Sequence, residues 1–187
     1  MWPPFRPRVL LSQLPRLGAW VLLAAGVGAC AGDAAPPAAA SGTCGRARIE
    51  ADVLREVNAF RAQPRSCGAR GRFAAAGPLR WSAALTQLAS AHAHDMAARN
   101  AMTHDDARGR GPAQRATAAG YGWRVFAENV AGHHAGVAEV LRGWQNSAGH
   151  CANLMNPEVS ELGVACAPGG PRNEYKAYWA MELASPR

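Results

Sequence analysis

The chain has 187 residues, with 20 basic and 13 acidic side chains and a formal surplus of seven positive charges. Lys176 is the single lysine among them, and the arginines are not interleaved with aromatic residues, a composition that argues against a nucleic-acid partner. The length excludes more than one sizeable core once the N-terminal segment is set aside.

That segment, "MWPPFRPRVLLSQLPRLGAWVLLAAGVGAC", carries Arg6, Arg8 and Arg16 and no acid, followed by an uncharged run from Leu17 to Ala29. This order is that of a secretory leader. The apolar run falls short of the roughly 20 residues that a membrane-spanning helix needs. It ends in "VGAC", which resembles a bacterial lipobox: Val27, the small residues Gly28 and Ala29, then Cys30. The resemblance implies cleavage after residue 29 and acylation of Cys30, anchoring the chain to a membrane without crossing it. The alternative is cleavage near "APPAAAS" and release of an unanchored protein. Loss of the leader removes three arginines and leaves 17 basic against 13 acidic residues, only a mild surplus. Residues 30–43, rich in Ala and Pro, read as a flexible tether. The folded domain is expected over 44–187.

Cys44, Cys67, Cys151 and Cys166 are then an even set in an exported domain, so two disulfides are expected. Locality favours Cys44 with Cys67 and Cys151 with Cys166.

In "RARIEADVLREVNAFRAQ", Ile49, Val53, Val57 and Phe60 recur at helical spacing, and Pro64 ends the pattern. A Gly-rich loop carrying Arg65, Arg70 and Arg72 leads to a second helix with Ser82 as N-cap and a stripe of Leu85, Leu88, Ala89, His92 and Met96. A second Gly-rich loop holds Arg108 and Arg110; either loop could meet anionic lipid or envelope polymer. Pro112 and Gly120 bracket a short third helix. "WRVFAENVAG" changes to period two and puts Glu128 on an apolar face with Phe126 and Val130. "GVAEVLRGWQNS" returns to helix through Val137, Val140, Leu141 and Trp144. "SELGVACA" and "EYKAYWAMELA", joined by the turn-rich "PGGPRN", read as an antiparallel hairpin. Four helices and three strands make an α+β layered domain.

Seven segments in order, "VNAFRAQPRSCG", "PLRWSAALTQLASAHAHDM", "MTHDD", "AENVAG", "GWQNSAGHCANLMNP", "ELGVAC" and "YWAMELA", resemble the signatures of the bacterial CAP superfamily of SCP-like extracellular domains. The resemblance spans residues 50–184. It implies an α-β-α sandwich with a three-stranded antiparallel sheet and about four helices. It also implies a cleft of two histidines and two acids that holds a divalent metal such as zinc in some members. His104 matches the first histidine, Glu128 one acid and His150 the second histidine. The other acid falls near Ser147 and is absent, and Ala127 replaces the glycine before Glu128.

Two imidazoles and a carboxylate can ligate zinc with an open position. The same groups without metal form a hydrogen-bonded cluster, and no cofactor is then required. Glu128 and His150 are the candidate catalytic groups, Glu128 as a general base, but no nucleophile stands out and HExxH is absent. Ser147 reads as a helix cap before "AGHCANLM" and Asn129 as a residue ordering backbone near the cleft. Cys151, once in a disulfide, cannot serve as a thiolate. His92 reads as a core histidine, His94 and Asp95 as solvent-facing, and His133 and His134 as reserve ligands at the cleft mouth. Trp81, Trp123, Trp144 and Trp179 read as core or cleft wall. The sequence therefore supports an exported, periplasmic or extracellular protein, anchored through Cys30, that acts as a binding or structural module toward lipid or envelope polymer. A metal-assisted hydrolase built on His104, Glu128 and His150 is the alternative.

Overall fold

The computed structural model describes Cys44 and residues 49–187; the leader, the lipobox at Cys30 and the tether lie outside the described residues. The elements in chain order are α1 (Ile49–Arg61), a ribbon of β1 (Arg65–Ser66) and β2 (Arg72–Phe73), β3 (Arg80–Trp81), α2 (Ala83–Arg99), α3 (Pro112–Ala118), β4 (Trp123–Gly132), α4 (Val137–Asn146), α5 (Ala148–Met155), β5 (Glu161–Pro168) and β6 (Ala177–Pro186). A turn of 3₁₀ helix, Gly68–Arg70, joins β1 to β2.

The expected antiparallel trio is present: β6 lies between β5 and β4 and pairs antiparallel with both. A fourth strand, the two-residue β3, adds in parallel at the β5 edge. It was not separable by periodicity because two residues carry no period. The sheet order β3-β5-β6-β4 leaves β4 as the opposite edge.

Helices cover both faces. Val53 and Val57 of α1, Val140, Leu141 and Trp144 of α4 and Leu154 of α5 pack with Trp179, Met181 and Leu183 on one face. Ala89, Ala93 and Met96 of α2 pack with Val130, Ala165, Tyr178 and Ala180 on the other. This three-layer arrangement buries both sides of β6, so its sequence is apolar in both registers. Gly163 permits a close approach of α2 to the sheet: a Cβ there would meet the Thr86 backbone nitrogen at 2.2 Å.

Local signals hold where they are local. Ser82 caps α2, its hydroxyl accepting from the Leu85 N–H at 3.4 Å. Asn100 ends the helix in the left-handed region (φ 51°), and its Oδ1 accepts from Tyr178 Oη at 2.7 Å. The α1 stripe, however, runs Ile49, Val53, Val57 and Arg61, with Phe60 only partly buried. Five helices are present instead of four, because Ser147 has extended backbone (φ −95°, ψ 125°) and separates α4 from α5. Its hydroxyl caps neither helix, contrary to the sequence reading.

The disulfides are Cys44–Cys166 and Cys67–Cys151, not the local pairs. Their sequence separations of 122 and 84 residues close long loops, each stabilising by about 5 kcal/mol in the chain-entropy treatment. Locality failed as a guide because the sheet brings the start of α1 beside β5 and the ribbon beside α5.

Candidate functional site: a buried carboxyl pair behind His104

Glu128 of β4 faces the α2 layer and lies directly opposite Glu182 of β6 in the strand register. Both side chains are 1% exposed. Two carboxylates in that position need compensation, and Arg115 of α3 supplies it. Its Nη2 donates to Glu128 Oε2 and reaches Glu182 Oε1 at 3.4 Å, while its Nη1 donates to the His104 carbonyl. The arginine thus holds the carboxyl pair and the backbone of the loop that carries His104. The other oxygen of Glu128 accepts from His104 Nδ1 at 2.7 Å. The His104 side chain is 53% exposed. With Nδ1–H committed to the carboxylate, Nε2 is the ring atom left for solvent or a partner.

One guanidinium faces two carboxyls, one from each of the paired strands β4 and β6. Burial pushes Glu128 up to about 7 against the pull of Arg115. Glu182 is raised well above the usual range by burial and by the charge of Glu128. Burial and the neighbouring carboxyl both favour the protonated form within this pair, against the pull of Arg115. His92 of α2 completes the surroundings: its Nε2 donates to the Thr103 carbonyl at 2.8 Å and lies 3.7 Å from Glu128 Oε2. Burial, followed by the charge of Arg115, lowers His92 to about 4, so its ring is neutral.

His150 comes from the other layer, on α5, around the free edge of β4. Asn129 Nδ2 donates to the His150 carbonyl at 3.3 Å, and Asn153 Nδ2 donates to Asn129 Oδ1 at 2.9 Å and to the Glu128 carbonyl at 3.1 Å. Asn129 is fully buried and orders this seam. The His150 ring is lowered by burial and by the charge of His104, so the two imidazoles share one electrostatic neighbourhood. Among the described residues, no hydrogen bond or ion pair joins His150 to Glu128.

This geometry does not fit the three-ligand zinc site expected from His104, Glu128 and His150. Both oxygens of Glu128 are bonded within the protein, and among the described residues no three His, Cys, Asp or Glu side chains are grouped to hold a metal ion. Glu128 is likewise enclosed as a general base, whereas the solvent-facing nitrogen belongs to His104. Ser147, at the α4–α5 junction, makes no side-chain bond into the cluster among the described residues. His133 stacks edge-on against Tyr175 at 4.6 Å, and His134 lies beside Glu139. About 13 Å of strand separates Glu128 from Gly132, where that loop begins.

Arg115, Glu182 and Asn153 had no assigned role in the sequence reading. Glu182 carried a faint signal, a carboxylate in the otherwise apolar "YWAMELA". Arg115 sits in the small-residue helix "PAQRATA" and carried none.

Residues 54–183 match the CAP model, the cysteine-rich secretory protein family, and the chain belongs to that family. It is 29% identical over 93 residues to Uncharacterized protein YkwD of Bacillus subtilis, an alignment covering 50% of this chain and 36% of the relative. Its fold is similar to that of an extracellular protein containing a SCP domain from Bacillus anthracis, with 24% identity, 73% of this chain and 40% of that chain covered, and a TM-score of 0.58. An outer surface protein from Borrelia burgdorferi is similar at 15% identity, 74% and 90% coverage, and a TM-score of 0.58. The chain thus spans well under half the length of the two Bacillus proteins. Family membership and two disulfides make this an extracellular-type, exported domain.

Proposed function

We propose that the protein is a binding module of the cell envelope, exported by its leader, held at a membrane through acylated Cys30, and presenting His104 and His150 at the β4 edge as a recognition surface for lipid or envelope polymer. One observation carries this reading: Glu128 has both carboxylate oxygens bonded inside the protein, to His104 Nδ1 and to Arg115. A carboxylate so used orients an exposed imidazole; it does not supply an open metal or base position. Saturable binding of extracted envelope lipids or glycans, weakened by His104→Ala with an unchanged melting temperature, is the expected result. Absence of saturable binding across both classes would overturn it.

The hydrolase reading keeps one point in its favour. A carboxylate behind an imidazole Nδ1–H is the arrangement that aims Nε2 at a metal, with the acid in a supporting role. Elemental analysis of the protein purified without chelator, beside a His104→Ala/His150→Ala variant, separates the two. Stoichiometric zinc lost in the variant, with chelator-sensitive turnover, would favour the hydrolase.

A further inference from the structure

Two loops of the domain are rich in arginine, and their surroundings differ. Between α2 and α3, Arg110 is paired with Asp106 at 2.7 Å, and the same carboxylate accepts the Arg108 backbone N–H at 2.8 Å. In the β1–β2 ribbon, Arg70 and Arg72 are exposed and form no ion pair among the described residues. Arg65 stands at the ribbon's base with its guanidinium 4.4 Å from the Phe60 ring centre and its Nε on the Phe60 carbonyl. No acidic residue occurs anywhere between Glu56 and Asp95. The first loop is locally neutralised; the ribbon has no acid of its own.

The ribbon is also held in place. Cys67 at its turn is bonded to Cys151 of α5, and the Cys67 N–H donates to the Gly71 carbonyl at 2.8 Å. Gly68 and Gly71 take positive φ values of 55° and 88°, which side chains rarely adopt. A Cβ on Gly68 would lie 3.6 Å from the Ala148 Cβ, so the turn rests on the start of α5. Charges on such a support lose little backbone entropy when they meet a partner.

We infer that the β1–β2 ribbon is an electrostatic contact surface for an anionic lipid bilayer, made through Arg70 and Arg72. The ribbon offers exposed guanidinium groups on a fixed support with no acid of its own, and a charged bilayer is the partner that needs only the charge. This deepens the envelope reading and rests on it for the presence of a membrane nearby: the stretch from Cys30 to Cys44 reaches at most about 50 Å. Each arginine near an anionic surface strengthens partitioning about fivefold, so the pair is expected to contribute about 25-fold.

The test is co-sedimentation of the full chain with vesicles of phosphatidylcholine alone or of phosphatidylcholine with phosphatidylglycerol, at low and at about 1 M salt, where screening is short-ranged. Expected is a preference for the anionic vesicles that salt abolishes and that Arg70→Gln/Arg72→Gln lowers about 25-fold without changing the melting temperature. The control, Arg142→Gln/Arg172→Gln, removes the same charge from exposed positions elsewhere and is expected to bind like the wild type. No anionic preference, an equal loss in the control, or retention by a soluble polyanion with none by vesicles would each overturn the assignment. Acylation of Cys30, read separately by mass spectrometry, bears on the anchor: without it, binding to both vesicle types falls while the difference between them stands.

Discussion

Two arginines are buried among the described residues, and they are satisfied in opposite ways. Arg61, at the end of α1, is 1% exposed and donates to three backbone carbonyls, those of Gly77, Leu154 and Asn156. Among the described residues no carboxylate partners it, and burial lowers its affinity for the proton. Arg115 is also enclosed but lies between two carboxyls and two carbonyls, those of His104 and Arg110. The first is a strut that ties α1 to the β3 approach and the end of α5. The second is an electrostatic centre whose loss strands charge. The same side chain therefore marks a structural seam in one layer and the candidate site in the other, and its partners, not its burial, tell them apart.

The largest effect should come from Arg115→Met. It leaves Glu128 and Glu182 buried without a cation, a change that costs about 3–5 kcal/mol. Chemical denaturation should find that loss near neutral pH and a smaller one in acid, where the carboxyls take up protons. An acid-insensitive loss would mean that Arg115 acts only by packing. Next is the Cys67→Ser/Cys151→Ser pair, which opens the ribbon and frees α5 and should cost about 2–5 kcal/mol.

Arg61→Met should cost less, about 1–3 kcal/mol for unsatisfied carbonyls, with no dependence on pH because no acid is stranded. Because Arg61 holds the end of α5 from α1 and the Cys67–Cys151 bond holds α5 from the ribbon, the combined variant should lose more than the sum of the two. Additivity measured by denaturation would separate them.

The pH profile extends the contrast. Glu128 is raised from 4.5 to about 7, so its contribution is complete in acid and is lost as pH rises through 7. His92 is lowered from 6.5 to about 4, so its contribution is present above 6.5 and is lost as pH falls through 4. The two slopes oppose each other between 4.5 and 6.5. His92→Gln removes one of them, and its melting temperature should then fall more steeply with rising pH than that of the wild type. An unchanged profile would remove His92 from the titrating cluster. The smallest effect is expected for Ser147→Ala, within about 0.5 kcal/mol, because the hydroxyl makes no capping bond.

Much of the fold could be read in advance, and the limits of that reading are specific. The β4 segment was delimited from period two alone, Ser82 from its capping chemistry, and the seven ordered segments named the family. The first two depend on residues within a turn or a strand of one another, and the third on the order of such segments along the chain. His104 and Glu128 were chosen by resemblance and do meet, at 2.7 Å. The role assigned to Glu128 did not survive, because Arg115 occupies its second oxygen, and nothing in "PAQRATA" indicates where that guanidinium will point.

That the long periodic segments become helix and strand, which family the chain belongs to, and that four cysteines would be available to pair all follow from the order of residues along the chain. Which cysteines meet, that Glu182 stands opposite Glu128 from 54 positions away, and that one arginine balances both emerge only once the layers are assembled. Propensity and periodicity act through neighbours along the backbone, whereas desolvation and charge pairing act through neighbours in space, and strand order is what converts one into the other.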